Sequence, residues 1–96
     1  MKRNIVFTPT AWEHYLWWLD EDRKKVKRIN KLIKSICQDG LMNGLGKPEP
    51  LKYRSGYSRR ITDEHRLVYD IDKNELANMH IDDIIIDKIT KLIVDY

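Results

Sequence analysis

The sequence predicts one α+β domain of order β-α-α-β-β-β, a small, mostly antiparallel sheet with two N-terminal helices packed on one of its faces. Three observations carry this expectation. Apolar residues recur three or four apart through the first part of the chain, alternate with polar ones from about Tyr57 onward, and belong to a chain of 96 residues, enough for one modest core.

Ile5-Val6-Phe7 is a short apolar run and reads as the first strand. Thr8-Pro9 then starts a helix, since Thr accepts from an orphan N–H and Pro is tolerated at the first helical position. Trp12, Tyr15, Leu16 and Leu19 form its expected core stripe, and of Trp17 and Trp18 at least one is expected to be partly exposed. Asp20-Glu21-Asp22 breaks the chain and restarts it with acids at a helix N-terminus. Val26, Ile29, Leu32, Ile33, Ile36 and Cys37 give the second helix an apolar stripe, and Gly40 closes it.

Residues 43–50 contain two glycines and two prolines and read as a loop. Tyr57–Thr62 and Arg66–Ile71 read as paired strands about the turn Asp63-Glu64-His65. Asp72-Lys73-Asn74 is expected to turn again, into a third strand over 76–81. In the tail, Ile81, Ile85, Ile89, Leu92 and Tyr96 recur at helical spacing, so a helix is expected; the β-branched run Ile84-Ile85-Ile86 leaves a strand as the alternative. This divides the chain into a domain over residues 1–80 and an acidic, Ile-rich tail over 81–96.

Eighteen Lys and Arg face fifteen Asp and Glu, and sixteen of those cations lie within residues 1–80. A basic body favours phosphate-bearing or acidic partners. No acid occurs from Arg23 through Gln38, so the polar face of the second helix is strongly positive. The single Cys37 excludes an internal disulfide and a multi-cysteine zinc site, and no apolar run reaches the ~20 residues of a membrane span. The chain reads as soluble, reduced and cytoplasmic, with no membrane partner.

The informative segment is 46–69. Lys47, Lys52, Arg54, Arg59, Arg60 and Arg66 surround one loop carboxylate, Glu49, whose backbone is stiffened by Pro48 and Pro50. Antiparallel pairing about the turn would bring Arg60 near Arg66, and two guanidiniums so placed need a shared anion. Such a set suits attack of an RNA 2′-hydroxyl on its adjacent phosphate: a carboxylate takes the hydroxyl proton, guanidiniums stabilise the phosphorane, and a third group protonates the leaving 5′-oxygen. A solvated basic face with a simple ion pair at Glu49 is the alternative the residues leave open.

Four stretches resemble the YoeB/Txe branch of the RelE superfamily of bacterial toxin–antitoxin toxins: Trp12-x-x-Tyr15-x-x-Trp18, Lys27-Arg28-Ile29-Asn30-Lys31-Leu32-Ile33-Lys34, Gly46-Lys47-Pro48-Glu49-Pro50-Leu51-Lys52, and Ser58-Arg59-Arg60-Ile61-Thr62-x-Glu64-His65-Arg66-Leu67-Val68-Tyr69. The resemblance implies a RelE-like fold and a toxin that cleaves mRNA in the A site of the 70S ribosome. It further implies a cognate YefM-like antitoxin, a homodimer, and chemistry needing no metal or organic cofactor. By it, Glu49 is the general base, Arg66 the phosphate-stabilising arginine, and Arg60 and Lys52 supporting cations; Lys47 and Arg59, in the same basic segment, are the further candidates for binding RNA phosphates. The family closes on His-Tyr, whose histidine is the general acid, whereas here Asp95 precedes Tyr96 and His80 becomes the candidate acid. His65 is expected to fix local structure and His14 to be exposed. A protein of this fold without its acid would instead act as an antitoxin- or ribosome-binding module, its tail packed over the Glu49–Arg66 pocket.

Overall fold

The computed structural model describes the backbone of residues 3–76 and 79–91, and the side chains of 4–72 and 83–89. The elements are β1 (Arg3–Phe7), α1 (Pro9–Glu21), α2 (Arg23–Asp39), β2 (Glu49–Pro50), β3 (Tyr57–Arg60), β4 (His65–Leu76) and β5 (Met79–Lys91). They form a five-stranded sheet of order β1-β5-β4-β3-β2, in which β1 runs parallel to β5 and every other pair is antiparallel. This is the expected α+β architecture, with two corrections to its strands. A two-residue strand, β2, lies where a loop was expected; its Pro50 lacks a donor and is tolerated because β2 is an edge. The expected turn at 72–74 is absent, since β4 continues to Leu76.

The expected helical tail is also a strand through residue 91, and β5 runs through the position taken as a domain boundary. The spacing Ile81, Ile85, Ile89 is not a face of this strand: Ile84, Ile86 and Ile89 are buried, and Ile85 alternates with the first two. Val68 pairs with Lys88 but Tyr69 pairs with Ile86, so one extra residue enters β5 there. That insertion changes the inward-facing set from a strict alternation to Ile84, Ile86 and Ile89, all buried. Residues 81–91 therefore lie within the sheet, between β1 and β4, and do not cover the face that carries Glu49. Residues 92–96, including Asp95 and Tyr96, lie outside those described.

Local chemistry sets the helices as expected. Thr8 Oγ1 accepts from Ala11 N at 3.0 Å at the start of α1, and Asp22 both ends α1 and caps α2. Gly40 ends α2 at φ 99°, a conformation that favours glycine. The core stripe of α2 is as expected, with Cys37 half-buried. On α1 the stripe is shifted: Ala11 and Trp18 (4% exposed) are buried, while Trp12 (48%) and Leu16 (45%) are exposed. Trp12 instead stacks on Tyr15, and both meet the edge of Phe7.

The shift follows from what α1 packs against. Beyond the end of β1, the free edge of β5 is sealed by α1 and its cap. Thr8 N donates to Ile86 O at 3.0 Å and Thr8 Oγ1 to Asp87 O at 2.9 Å. Farther along, His14 Nδ1 accepts from Ile89 N at 3.2 Å and Trp18 Nε1 donates to Ile89 O at 2.9 Å. Residues 11, 14 and 18 share one helical face, and satisfying those backbone groups turns it inward. His14 is thus half-buried, where an exposed residue was expected. Between helices and sheet, Val26, Ile29, Leu32 and Ile36 pack with Leu67, Tyr69, Ile84, Ile86 and Ile89. Full burial of each such side chain contributes about 1.5–3 kcal/mol.

Candidate functional site

The strand register decides which side chains share the sheet face opposite the helices. Glu49 pairs with Ser58 and Ser58 with Val68; Arg60 pairs with Arg66. Partners directly opposite in an antiparallel ladder project to one side, as do residues two apart along a strand. Glu49, Ser58, Arg60, Arg66 and Val68 therefore share the other face, on which Glu49 is exposed, Arg60 half-buried and Ser58, Arg66 and Val68 buried, while Tyr57, Arg59, Leu67 and Tyr69 face the helices. Two inter-strand steps and two residues along the strand separate the Cα atoms of Glu49 and Arg66 by about 12 Å. Their side chains can close on a group lying between them.

Arg59 and Arg66 were both expected at phosphates, and the structure gives them opposite roles. Arg59 is fully buried and all of its N–H groups are engaged. Its Nε donates to Tyr69 Oη (2.9 Å), Nη1 to Ser35 Oγ (2.9 Å) and Leu45 O (2.9 Å), and Nη2 to Gly40 O (2.6 Å) and Asn43 O (2.7 Å). The expectation that Arg59 binds RNA is therefore corrected: no donor is left for a ligand. Its alternation with Arg60 turns it inward, where it gathers the loop after α2 that leads to Lys47 and Glu49. Burial raises the Tyr69 phenol above its usual pKa of 10.0, although the hydrogen bond from Arg59 opposes this.

Arg66 uses one end of its guanidinium. Nη1 donates to the carbonyls of Thr62 (2.6 Å), Asp63 (3.1 Å) and His65 (3.1 Å), and among the described residues Nε and Nη2 have no partner. Those two nitrogens form the side-on edge that grips a phosphate or carboxylate bidentately. The turn holding Arg66 is organised by Thr62 Oγ1, which accepts from Glu64 N (3.2 Å) and His65 N (3.1 Å) and lies 2.9 Å from His65 Nδ1. The His65 ring meets Trp18 edge-on at 4.9 Å, so His65 fixes local structure as expected.

Glu49 is exposed, as are Lys47 and Lys52. Lys52 sits in the loop after β2, which closes through Leu51 N to Gly56 O at 3.0 Å. That loop is strapped to the sheet by the Arg54–Asp87 ion pair and by Ser55 Oγ to Asp70 Oδ2 at 2.5 Å. The loop presents Tyr53 at 78% exposure. His80 is remote from these residues along the ladder. Arg66 pairs with Thr90 and Glu75 with His80, so nine steps of ladder, about 30 Å, separate them. Its expected role as the acid is corrected on backbone register alone; its side chain lies outside those described. The β4–β5 ladder that carries His80 away is longer than the expected turn at 72–74 allowed.

One participant was not anticipated by position. A cleft of about 360 Å³ beside the end of β3 is lined by Arg28, Leu45, Gly46, Lys47, Arg60, Ile61, Thr62 and Asp63. Arg28 comes from α2 and donates through Nη2 to Arg60 O at 3.2 Å. Its sequence signal was only the acid-free polar face of α2. Among the described residues no group of three or more His, Cys, Asp or Glu could hold a metal ion, and no helix is long and apolar enough to cross a membrane.

Comparison with known proteins agrees with this fold. The family described as YoeB-like toxin of bacterial type II toxin–antitoxin system matches residues 7–84. Toxin YoeB of Synechocystis sp. is 55% identical over 74 residues, covering 75% of this chain and 85% of that protein. The YoeB–YefM complex from Staphylococcus aureus contains a chain with TM-score 0.78 and 41% identity, covering 97% of this chain and 100% of that one. The YoeB dimer from the same organism gives 0.80 and 42% over the same coverage.

Proposed function

Since this chain belongs to the YoeB-like toxins of bacterial type II toxin–antitoxin systems, we propose that it acts as an endoribonuclease on mRNA in the ribosomal A site. The observation that carries this reading is the shared sheet face of Glu49 and Arg66, with the side-on edge of Arg66 unoccupied by acceptors among the described residues. In the proposed reaction the Glu49 carboxylate takes the proton of a ribose 2′-hydroxyl, whose oxygen attacks the adjacent phosphorus. Arg66 stabilises the charge that develops on the phosphorane oxygens, assisted by Arg60, and Lys47 and Lys52 hold the flanking strand.

The leaving 5′-oxygen needs a proton. His14 faces the β5 edge, His65 is engaged in its turn, and His80 lies about 30 Å along the ladder. With none of the described histidine side chains at this face, the proton is assigned to solvent in this reading, and turnover is expected to be slow. The partners proposed are the 70S ribosome and, from the composition of the S. aureus assemblies, a YefM-like antitoxin and a second copy of the chain. The place of action is the cytoplasm.

In vitro translation with mapping of mRNA ends tests the reading. The wild type should cleave in a ribosome-dependent manner, and Glu49→Gln should lower the rate about 10²–10⁴-fold. No cleavage at any toxin concentration, with retained antitoxin or ribosome binding, would instead make the chain a binding module.

A further inference from the structure

We propose that the cleft between α2 and the end of β3 is a second phosphate subsite, built on Arg28, Lys47 and Arg60, for the nucleotide next to the one held by Arg66. The inference rests on the reading above for the direction of the strand, and adds Arg28 and a second anion position to it. The three cations come from three separate segments and line one cleft of about 360 Å³. They are brought together by backbone contacts. Arg28 Nη2 donates to Arg60 O at 3.2 Å, and Arg60 N donates to Gly46 O at 2.7 Å, which ties the segment carrying Lys47 to β3. Gly46 stands at φ 84°, and a Cβ there would lie 2.6 Å from Leu32 Cδ2, so glycine is required for this close approach.

Like charges gathered in this way repel unless an anion joins them. Among the described residues none of the three is ion-paired, and the one acid lining the cleft, Asp63, lies beyond ion-pair distance of them. The anion is argued to be a phosphodiester because Arg60 belongs to both places. It lines the cleft and stands directly opposite Arg66, one strand spacing of about 5 Å away. Successive phosphates of a single strand can therefore pass from Arg66 to Arg28 across Arg60. Leu45 and Ile61 give the cleft an apolar wall suited to a ribose or base, which an acidic peptide does not require.

The test is fluorescence anisotropy of a single-stranded, fully 2′-O-methylated oligonucleotide, which cannot be cleaved, bound to the full chain over a salt series. Arg28→Met should weaken binding about 10-fold and reduce the slope of log affinity against log salt by about 0.7, the value of one phosphate contact on a single strand. Arg28→Lys, which keeps the charge and spares the fold, should retain the slope. Arg23→Met, on the same helix but outside the cleft, is the control. An Arg28→Met slope equal to that of the control overturns the proposal, as does a loss confined to binding of a polyglutamate peptide. Glu49→Gln distinguishes the two readings: it should lower cleavage about 10²–10⁴-fold and leave the Arg28 dependence of oligonucleotide binding in place. Cleavage unaffected by Glu49→Gln would remove the reaction assigned above while the Arg28 result stood.

Discussion

The Thr62 carbonyl oxygen lies 2.6 Å from Nη1 of Arg66, and the Thr62 hydroxyl organises the turn that brings it there. One threonine thereby aims the guanidinium through its own backbone and hydroxyl. Thr62→Val should lower kcat about 10-fold with KM within about twofold, because misplaced groups cost rate more than binding. Thr62→Ser should restore it. In an Arg66→Ala background Thr62→Val should add nothing; an equal loss in both backgrounds would mean that the threonine serves stability alone.

Arg59 is expected to behave as a core residue. Arg59→Met would leave the carbonyls of Gly40, Asn43 and Leu45 without their donor and should cost about 3–5 kcal/mol, lowering Tm by roughly 15 °C or more in a chain of this size. A thermal melt of the variant within a few degrees of wild type would show that those acceptors find water instead.

His14 predicts an acid limb in stability. Burial is the main cause that lowers its pKa from 6.5; Glu13 opposes this and Lys88 adds to it. With the folded pKa depressed, the unfolded chain binds more protons below about pH 6.5, so stability is fully present above that value and is lost as pH falls. Urea unfolding at pH 7.5 and 5.5 should show a larger loss for wild type than for His14→Gln. Parallel losses would show that His14 is not the group responsible.

Two adjacent tryptophans should respond differently. Trp18→Phe removes the donor to Ile89 O and should destabilise by about 1–3 kcal/mol. Trp17→Phe, on the exposed side, should stay within about 0.5 kcal/mol. Similar chemical-denaturation midpoints for the two variants would contradict the sealing of the β5 edge by α1.

Much of the fold was legible because its signals are local. The Thr8 and Asp22 caps, the stripe of α2, the glycine at its end and the pairing of Arg60 with Arg66 about a short turn depend on neighbours a few residues away. The tail was not legible, because isoleucines stand on both faces of β5 and so also satisfy a helical spacing, while the bulge that selects its inward residues depends on pairing with β4. The α1 stripe was misjudged because Trp12 and Leu16 are more apolar than the Ala11 and His14 positions that seal β5. Hydrophobicity alone does not report a backbone edge that needs covering.

The amino-acid sequence by itself determined the two helices and the β3–β4 pair, the stiffened carboxylate at Glu49 and the cationic setting around it, since residue chemistry and short-range geometry suffice for these. Only the tertiary structure decided which cations remain free to act. Arg59 and Arg60 are neighbours in the chain, yet strand alternation buries the first among protein acceptors and leaves the second beside Arg66. Arg28 reaches the same region from a helix thirty-two positions away in the chain from Arg60. Charge is written in the residue, but whether its donors are already spent depends on partners that only folding brings within reach.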